Sequence, residues 1–312
     1  MSMMGPRNMT YVTEFILVGF SQRLQTRVLL FVFLLTVYVL SIFGNLVLIF
    51  SYYVSPRMRT PMYFFLCNLS FLDLCYSSSS LPKMLLDVFS KQRRISLIGC
   101  IAQMNITLYL GEAECILLAV MAYDRYIAIC FPLNYTSIMT MRICRNITIM
   151  MWLGNFMLSA VPTLSKPLVF CRGNEIDHFA CEIVAVLELV CGDVRFYKLT
   201  MFIVSLFTLL APVAFIIVTY TFIISSVLKI RSVEGRSRAF STCASHLTVV
   251  FMFFGPIITL YMAPANTFSS SQKYLSLMYG AVTPILNPLV YSLRNNDVKD
   301  ACKKILSRYT RT

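Results

Sequence analysis

Three carboxylic acids stand inside stretches that are otherwise apolar: Asp73 in the run Pro61 to Pro82, and Glu112 and Glu114 in the run Ile95 to Tyr123. At the end of the second run stands MAYDRYIAIC, residues 121–130, with an acid, a base and a phenol in a row at Asp124, Arg125 and Tyr126. An ionisable group taken out of water needs a partner, so acids at such positions are functional candidates. Arg125, at the edge of an apolar layer, either anchors the helix at that depth or belongs to a pair that breaks on demand, which makes a switch. Glu112 and Glu114 are two residues apart, about 200° round a helix, so they face nearly opposite ways and serve different roles. Cysteines form the other chemical group. Cys171, Cys181 and Cys191 follow at ten-residue spacing, and Cys100 opens the third apolar run on the same side. Four thiols on one oxidising face read as two disulfides; the alternative, a metal site, lacks the CxxC pairs of zinc centres.

The elements that position these residues are made for an apolar solvent. Of 312 residues, 58% are hydrophobic and only 13% charged, where a soluble domain carries about 25% charged residues. A bilayer core needs roughly 20 mostly apolar residues per helical span, and seven such runs occur: Val28 to Tyr53, Pro61 to Pro82, Ile95 to Tyr123, Asn146 to Ser165, Leu199 to Leu228, Ala239 to Met262 and Tyr274 to Leu293. They are continuous rather than alternating, which argues against a strand barrel. The expected fold is an all-α membrane protein, a seven-transmembrane helix bundle spanning residues 28–293 with one long loop at 166–198. A polar tail precedes it at 1–27, and residues 294–312 follow it. The opening MSMMGPRNMTYVTEF lacks the apolar stretch of a signal peptide, so the first span is expected to serve as its own insertion signal.

Seven spans put the two ends on opposite sides. With the N-terminus outside the cell, 14 Lys and Arg lie in the inner loops and tail against 12 outside, the direction of the positive-inside rule. Asn8-Met9-Thr10 is then a glycosylation acceptor in an extracellular tail, whereas Asn68, Asn105 and Asn146 fall in or beside spans. The net charge of +13 reads as affinity for an anionic inner leaflet and not for nucleic acid, since no soluble basic domain is present.

Four stretches in order, PMYFFLCNLSFLDLCYSS (61–78), MAYDRYIAIC (121–130), RAFSTCASHL (238–247) and PILNPLVYSLRN (284–295), each on its own span, resemble the olfactory receptors, a family of rhodopsin-like G-protein-coupled receptors. The likeness covers essentially the whole chain from VTEFILVGF (12–20) onward, and Asn45, Asp73, Trp152, Pro212 and Pro288 also fall at signature positions. The resemblance implies an odorant receptor in the plasma membrane, not an enzyme, that binds small volatile molecules and activates a stimulatory heterotrimeric G protein to raise cAMP. It implies a switch in which Arg125 pairs with Asp124 at rest, beside Tyr126, and releases toward Tyr220 on activation. Phe254, Asn287, Pro288 and Tyr291 belong to the same machinery, with Pro256 loosening the sixth helix and Pro288 the seventh. It implies no cofactor beyond an allosteric sodium ion at Asp73, Glu114 and Asn287, the alternative there being a hydrogen-bonded pair without an ion. It pairs Cys100 with Cys181 and Cys171 with Cys191, and it places a short amphipathic membrane-surface helix at 296–307. The implied ligand pocket takes Thr107, Leu108, Gly111 and Glu112 from the third helix, Val204, Ser205 and Thr208 from the fifth, Ile257, Ile258 and Tyr261 from the sixth, and Leu277 and Gly280 from the seventh. Two departures bear on ligand class and basal activity: Phe254 stands where many relatives have Tyr, and HFACE (178–182) stands for HFFCD.

Rival functions meet specific obstacles. An intramembrane aspartyl protease needs two aspartates on facing spans, and only Asp73 lies within one; a metalloprotease needs HExxH, and the two histidines are His178 and His246. A retinal-based light sensor needs a lysine in the seventh span, and Tyr274 to Leu293 has none. Aminergic receptors carry an acid where Thr107 stands. A channel or transporter remains as the alternative and would need a polar path through the bundle. Glu112 has no Lys or Arg in the facing halves of the fourth and fifth spans. It either links structurally to Ser159, Ser205 or Thr208 or anchors the polar end of a ligand, roughly 20 Å along the helix from Arg125.

Overall fold

The computed structural model describes residues 12–19, 23–165, 168–171, 173–191, 194–261 and 270–294. The expected glycosylation site at Asn8 and the surface helix at 296–307 lie outside these residues. In chain order the helices are α1 (Leu24–Val54), α2 (Pro61–Phe89), α3 (Leu97–Cys130), the single turn α4 (Tyr135–Ile138), α5 (Met141–Ser165), the short α6 (Ile183–Leu187), α7 (Arg195–Ser205), α8 (Ala211–Leu228), α9 (Val233–Tyr261), α10 (Ser270–Leu277) and α11 (Thr283–Arg294). Among the described residues, four stretches, α1, α3, α7 continued by α8, and α9, are long and apolar enough to cross a membrane.

Large apolar side chains such as Leu29, Phe43, Phe207, Ile217 and Phe251 face outward, while Ser41, Asn45, Ser70, Asp73, Ser77 and Asn287 are fully buried. That distribution suits a bundle solvated by hydrocarbon, where polar groups find partners only inside the protein. The long α3 packs on α2, α5, α8 and α9, so it forms the bundle's axis.

Proline shapes the path of the helices. The π-helical turn Leu206–Leu210 ends two residues before Pro212, and the π-helical turn Met278–Val282 ends two residues before Pro284. Each is a local widening of the kind that re-aims side chains at functional sites. Pro288 cannot donate to the carbonyl of Pro284 four residues back. Asn45 of α1 replaces that donor, its Nδ2 lying 2.9 Å from Pro284 O and 3.0 Å from Ser41 O. Close approach requires Gly44, because a Cβ there would stand 2.9 Å from the ring carbons of Pro288.

Two helices run further than the apolar runs suggest. Pro82 lies inside α2, which continues to Phe89, and α3 continues to Cys130. Asp124, Arg125 and Tyr126 therefore sit within the last turns of α3 rather than at its end. At the opposite end of the bundle the loop segments form a small sheet of order β2-β1-β3. Strand β1 (Glu14–Leu17) runs antiparallel to β2 (Arg94–Ser96), with Glu14 opposite Ser96, and parallel to β3 (Glu175–Ile176), with Ile16 opposite Glu175. Both disulfides form as the resemblance implied: Cys100 with Cys181, at a Cα separation of 5.3 Å, and Cys171 with Cys191, at 5.7 Å. The first fastens the loop to α3 and the second closes a hairpin within it.

Because Gly44 and Asn45 serve one contact, Gly44→Ala and Asn45→Leu should each cost about 1–3 kcal/mol, by overpacking and by an unsatisfied carbonyl. The double variant should lose less than the sum. Thermal melts of the purified protein check both expectations.

Candidate functional site

Three polar constructions lie along α3. Nearest the disulfide-tied loop is a cavity of about 120 Å³ with walls from α3, α5, α7, α9 and the π-turn before α8, and a roof that includes Leu168 and Ile183. Of the residues expected from sequence, Thr107, Leu108, Gly111, Glu112, Val204, Ser205, Thr208, Ile257 and Tyr261 line it. Gly111 leaves room, since a Cβ added there would meet nothing within 4 Å. Leu277 and Gly280 line a neighbouring cavity of about 30 Å³ beneath the loop, which Thr107 shares. Ile258, one step or about 100° further round α9 than Ile257, belongs to neither wall. Sequence reasoning missed Met104 and Cys115, four residues from Leu108 and Gly111 on the same helical stripe, and Tyr76, Tyr197 and Tyr279.

It also missed Glu182, the buried acid of the roof. Its Oε2 caps α6 by accepting from Val184 N at 2.9 Å, and its Oε1 accepts from the Tyr261 hydroxyl at 3.0 Å. Roof and α9 are thus joined at the cavity's edge. Beside it His178 is 2% exposed, stacked on Phe179 with ring centroids 4.1 Å apart and with Nδ1 against the backbone of Ala180. Lys273 pairs with Asp177 and ties the loop to α10.

Midway along α3, Asn287 Nδ2 donates to Asp73 at 2.9 and 3.1 Å and reaches Glu114 Oε1 at 3.4 Å. All three side chains are buried, and Asn287 Oδ1 has no partner among the described residues. Glu114 turns to this centre and Glu112 to the cavity, the opposition that their spacing demands.

At the far end a second cavity of about 170 Å³ is walled by Arg125, Met62, Met121, Thr242 and Tyr291. The expected Asp124–Arg125 ion pair is not formed among the described residues. Adjacent helical side chains diverge by about 100°, and Asp124 instead accepts from the Tyr135 hydroxyl of α4 at 2.8 Å. Tyr220 also has another partner. Its hydroxyl lies 2.9 Å from His246 Nδ1, the rings stack at 5.6 Å, and His246 Nε2 is 3.2 Å from Leu118 O. A carbonyl only accepts, so Nε2 carries the proton and Nδ1 accepts from Tyr220. His246 was not singled out from sequence as part of the switch, although it lies in RAFSTCASHL. Tyr126 packs on Phe131 and Phe222, with centroids 5.6 and 6.0 Å away, and Phe254 is buried against Phe253.

The family model described as olfactory receptor matches residues 34–309. Human olfactory receptor 2G3 is 45% identical over 306 residues, covering 97% of this chain and 99% of that protein. Human olfactory receptor 13D1 is 46% identical over 308 residues, covering 98% and 89%, and mouse olfactory receptor 2C1 is 44% identical over 297 residues, covering 95% of each.

The roof carries a pH dependence. Burial, reinforced by Lys273, lowers the His178 pKa from 6.5 to about 4. Between those values the unfolded chain binds more protons than the folded one. The stabilisation is therefore complete above pH 6.5 and is lost as pH falls through about 4, a change on the order of 3 kcal/mol. Melting temperature should fall across that window, and His178→Asn should flatten the dependence.

Proposed function

The chain belongs to the olfactory receptor family, receptors and not enzymes, and we propose that it binds a small volatile odorant in the cavity beneath the loop and activates a stimulatory heterotrimeric G protein, raising cAMP. One observation carries this reading. A single helix, α3, contributes Glu112 to the wall of the apolar cavity and Arg125 to the wall of the cavity at the other end, about 20 Å away along the axis.

α1, α2, α3, α5, α7 with α8, α9, and α10 with α11 would then be the seven spans, residues 28–293. The tail 1–27 and the loop 166–198 face outside the plasma membrane, and residues 294–312 face the G protein. Ligand contacts with Ile257 and Tyr261 act on α9 above Pro256, where the helix has lost a backbone hydrogen bond and bends most readily. Below the bend, His246 holds α9 to Leu118 of α3 and to Tyr220 of α8. Outward movement of α9 breaks these bonds, frees the Tyr220 hydroxyl for Arg125 and opens the cavity around Arg125 to the G protein.

The polar centre fits a sodium ion. Asp73, Glu114 and the unpartnered Oδ1 of Asn287 offer hard oxygen donors of the kind small hard cations take. Sodium there would supply one positive charge against the two acids and would favour the resting arrangement of α2, α3 and α11.

Arg125→Ala should abolish agonist-dependent cAMP, a loss of tenfold or more, while surface expression persists. Undiminished cAMP would remove Arg125 from the switch. Replacing choline chloride with sodium chloride should add roughly 1.4 kcal/mol of stability at tenfold excess over Kd, seen as a higher melting temperature, and Asp73→Asn should abolish the increment.

A further inference from the structure

Glu112 Oε2 is a buried oxygen with no hydrogen-bond partner among the described residues, in a cavity wall that is otherwise mostly apolar. Two of the three structural links open to it from sequence, Thr208 and Ser159, have hydroxyls placed to donate to backbone carbonyls. Thr208 Oγ1 donates to Val204 O at 2.9 Å, and Ser159 Oγ is placed to donate to Phe156 O at 3.5 Å. Among the described residues no Lys, Arg or His lines the cavity. A buried acceptor without a donor costs about 1–3 kcal/mol, so whatever fills the space beside it is selected for supplying one.

We propose that Glu112 sets the ligand class of this receptor: a small apolar molecule bearing one hydroxyl, an alcohol or phenol, whose O–H donates to Glu112 Oε2. The inference rests on the odorant-cavity reading above and specifies the chemistry of that site. A hydroxyl fits because it has one donor for Oε2 and lone pairs for a neighbour such as Ser205, which lines the same cavity. Ethers and esters bring only acceptors; they can take the proton of a neutral Glu112 carboxyl but supply no donor, so its carbonyl oxygen stays unsatisfied. A carboxylate meets an acid and no cation. An ammonium brings three N–H groups and a charge into a space whose other polar groups are neutral hydroxyls, and it loses its hydration for an incomplete shell. Gly111, one step back on α3, keeps open the space the ligand occupies.

The test is a matched set of alcohol, methyl ether, amine and carboxylic acid on hexyl, octyl, cyclohexylethyl and phenylethyl skeletons. It is read as cAMP in cells and as thermal stabilisation of the purified full-length receptor. On the skeleton that fits, the alcohol should be about tenfold more potent than its ether, the worth of one net hydrogen bond. Glu112→Leu should bring the alcohol-to-ether potency ratio down to about one, whereas Glu112→Gln, which keeps a donor and an acceptor, should hold the alcohol within about threefold. Glu112→Met, closer in shape, repeats the Leu measurement if that variant fails to reach the surface. An alcohol-to-ether ratio unchanged in the apolar variants, or an amine or acid outranking the alcohol in the wild type, overturns the inference and leaves the cavity reading standing. No response and no stabilisation from any member overturns the cavity reading and this inference with it.

Discussion

The side-chain amide of Asn287 is the point on which the interior depends. Its Nδ2 reaches two carboxyl groups, on α2 and on α3, at a depth where water is not the solvent. Two acids placed side by side without that donor would each need another partner, and burial of the pair would oppose folding. One turn away the same logic recurs with backbone as the needy group: Pro288 orphans the Pro284 carbonyl, and Asn45 supplies the missing N–H from α1. Two asparagines thus join α1, α2, α3 and α11 where hydrophobic burial offers no selectivity, because the outside of the bundle is as apolar as its core.

With that polar seam fixed, the rest of α3 acts as a rod with distinct ends. The cavity under the roof is bounded by groups whose hydrogen bonds are already committed to protein, Glu182 to Tyr261 and to the start of α6, which leaves Glu112 as an acid still open to an incoming molecule. The Arg125 end is held by bonds between side chains of different helices, Tyr220 with His246 and Asp124 with Tyr135. Such bonds exchange readily between partners, whereas the backbone bonds of the helices do not.

Much of this was legible in the sequence, for a physical reason. Continuous apolar runs can only be helices in hydrocarbon, so the run positions and the opposed facing of Glu112 and Glu114 followed from length and helical pitch, whereas the α3 cavity residues came from the family resemblance. Helix ends were less legible, because an apolar run stops where charge begins while a helix stops where its hydrogen bonds do. Pro82 did not end α2, and Asp124 did not end α3. One residue of register is about 100°, which separates Ile257 from Ile258. His246, Tyr135 and Glu182 act through partners 26, 11 and 79 residues away, and nothing local in the sequence marks such pairings. The π-turns before Pro212 and Pro284 were equally hidden.

Strand β1 lies between β2 and β3, so the first described segment of the chain is the middle of the roof's sheet. Its two partners lie about 80 and 160 residues further along, far beyond the separation of neighbouring helices. Contacts of such long range form late, since the loop that joins them must first be closed. During synthesis β1 leaves the ribosome before either partner exists, and one of its edges stays unpaired until Glu175 and Ile176 have emerged. The sheet is therefore completed only after α1, α2, α3 and α5 have been made, and a receptor interrupted before that point exposes an unpaired β1 edge that quality-control machinery can recognise.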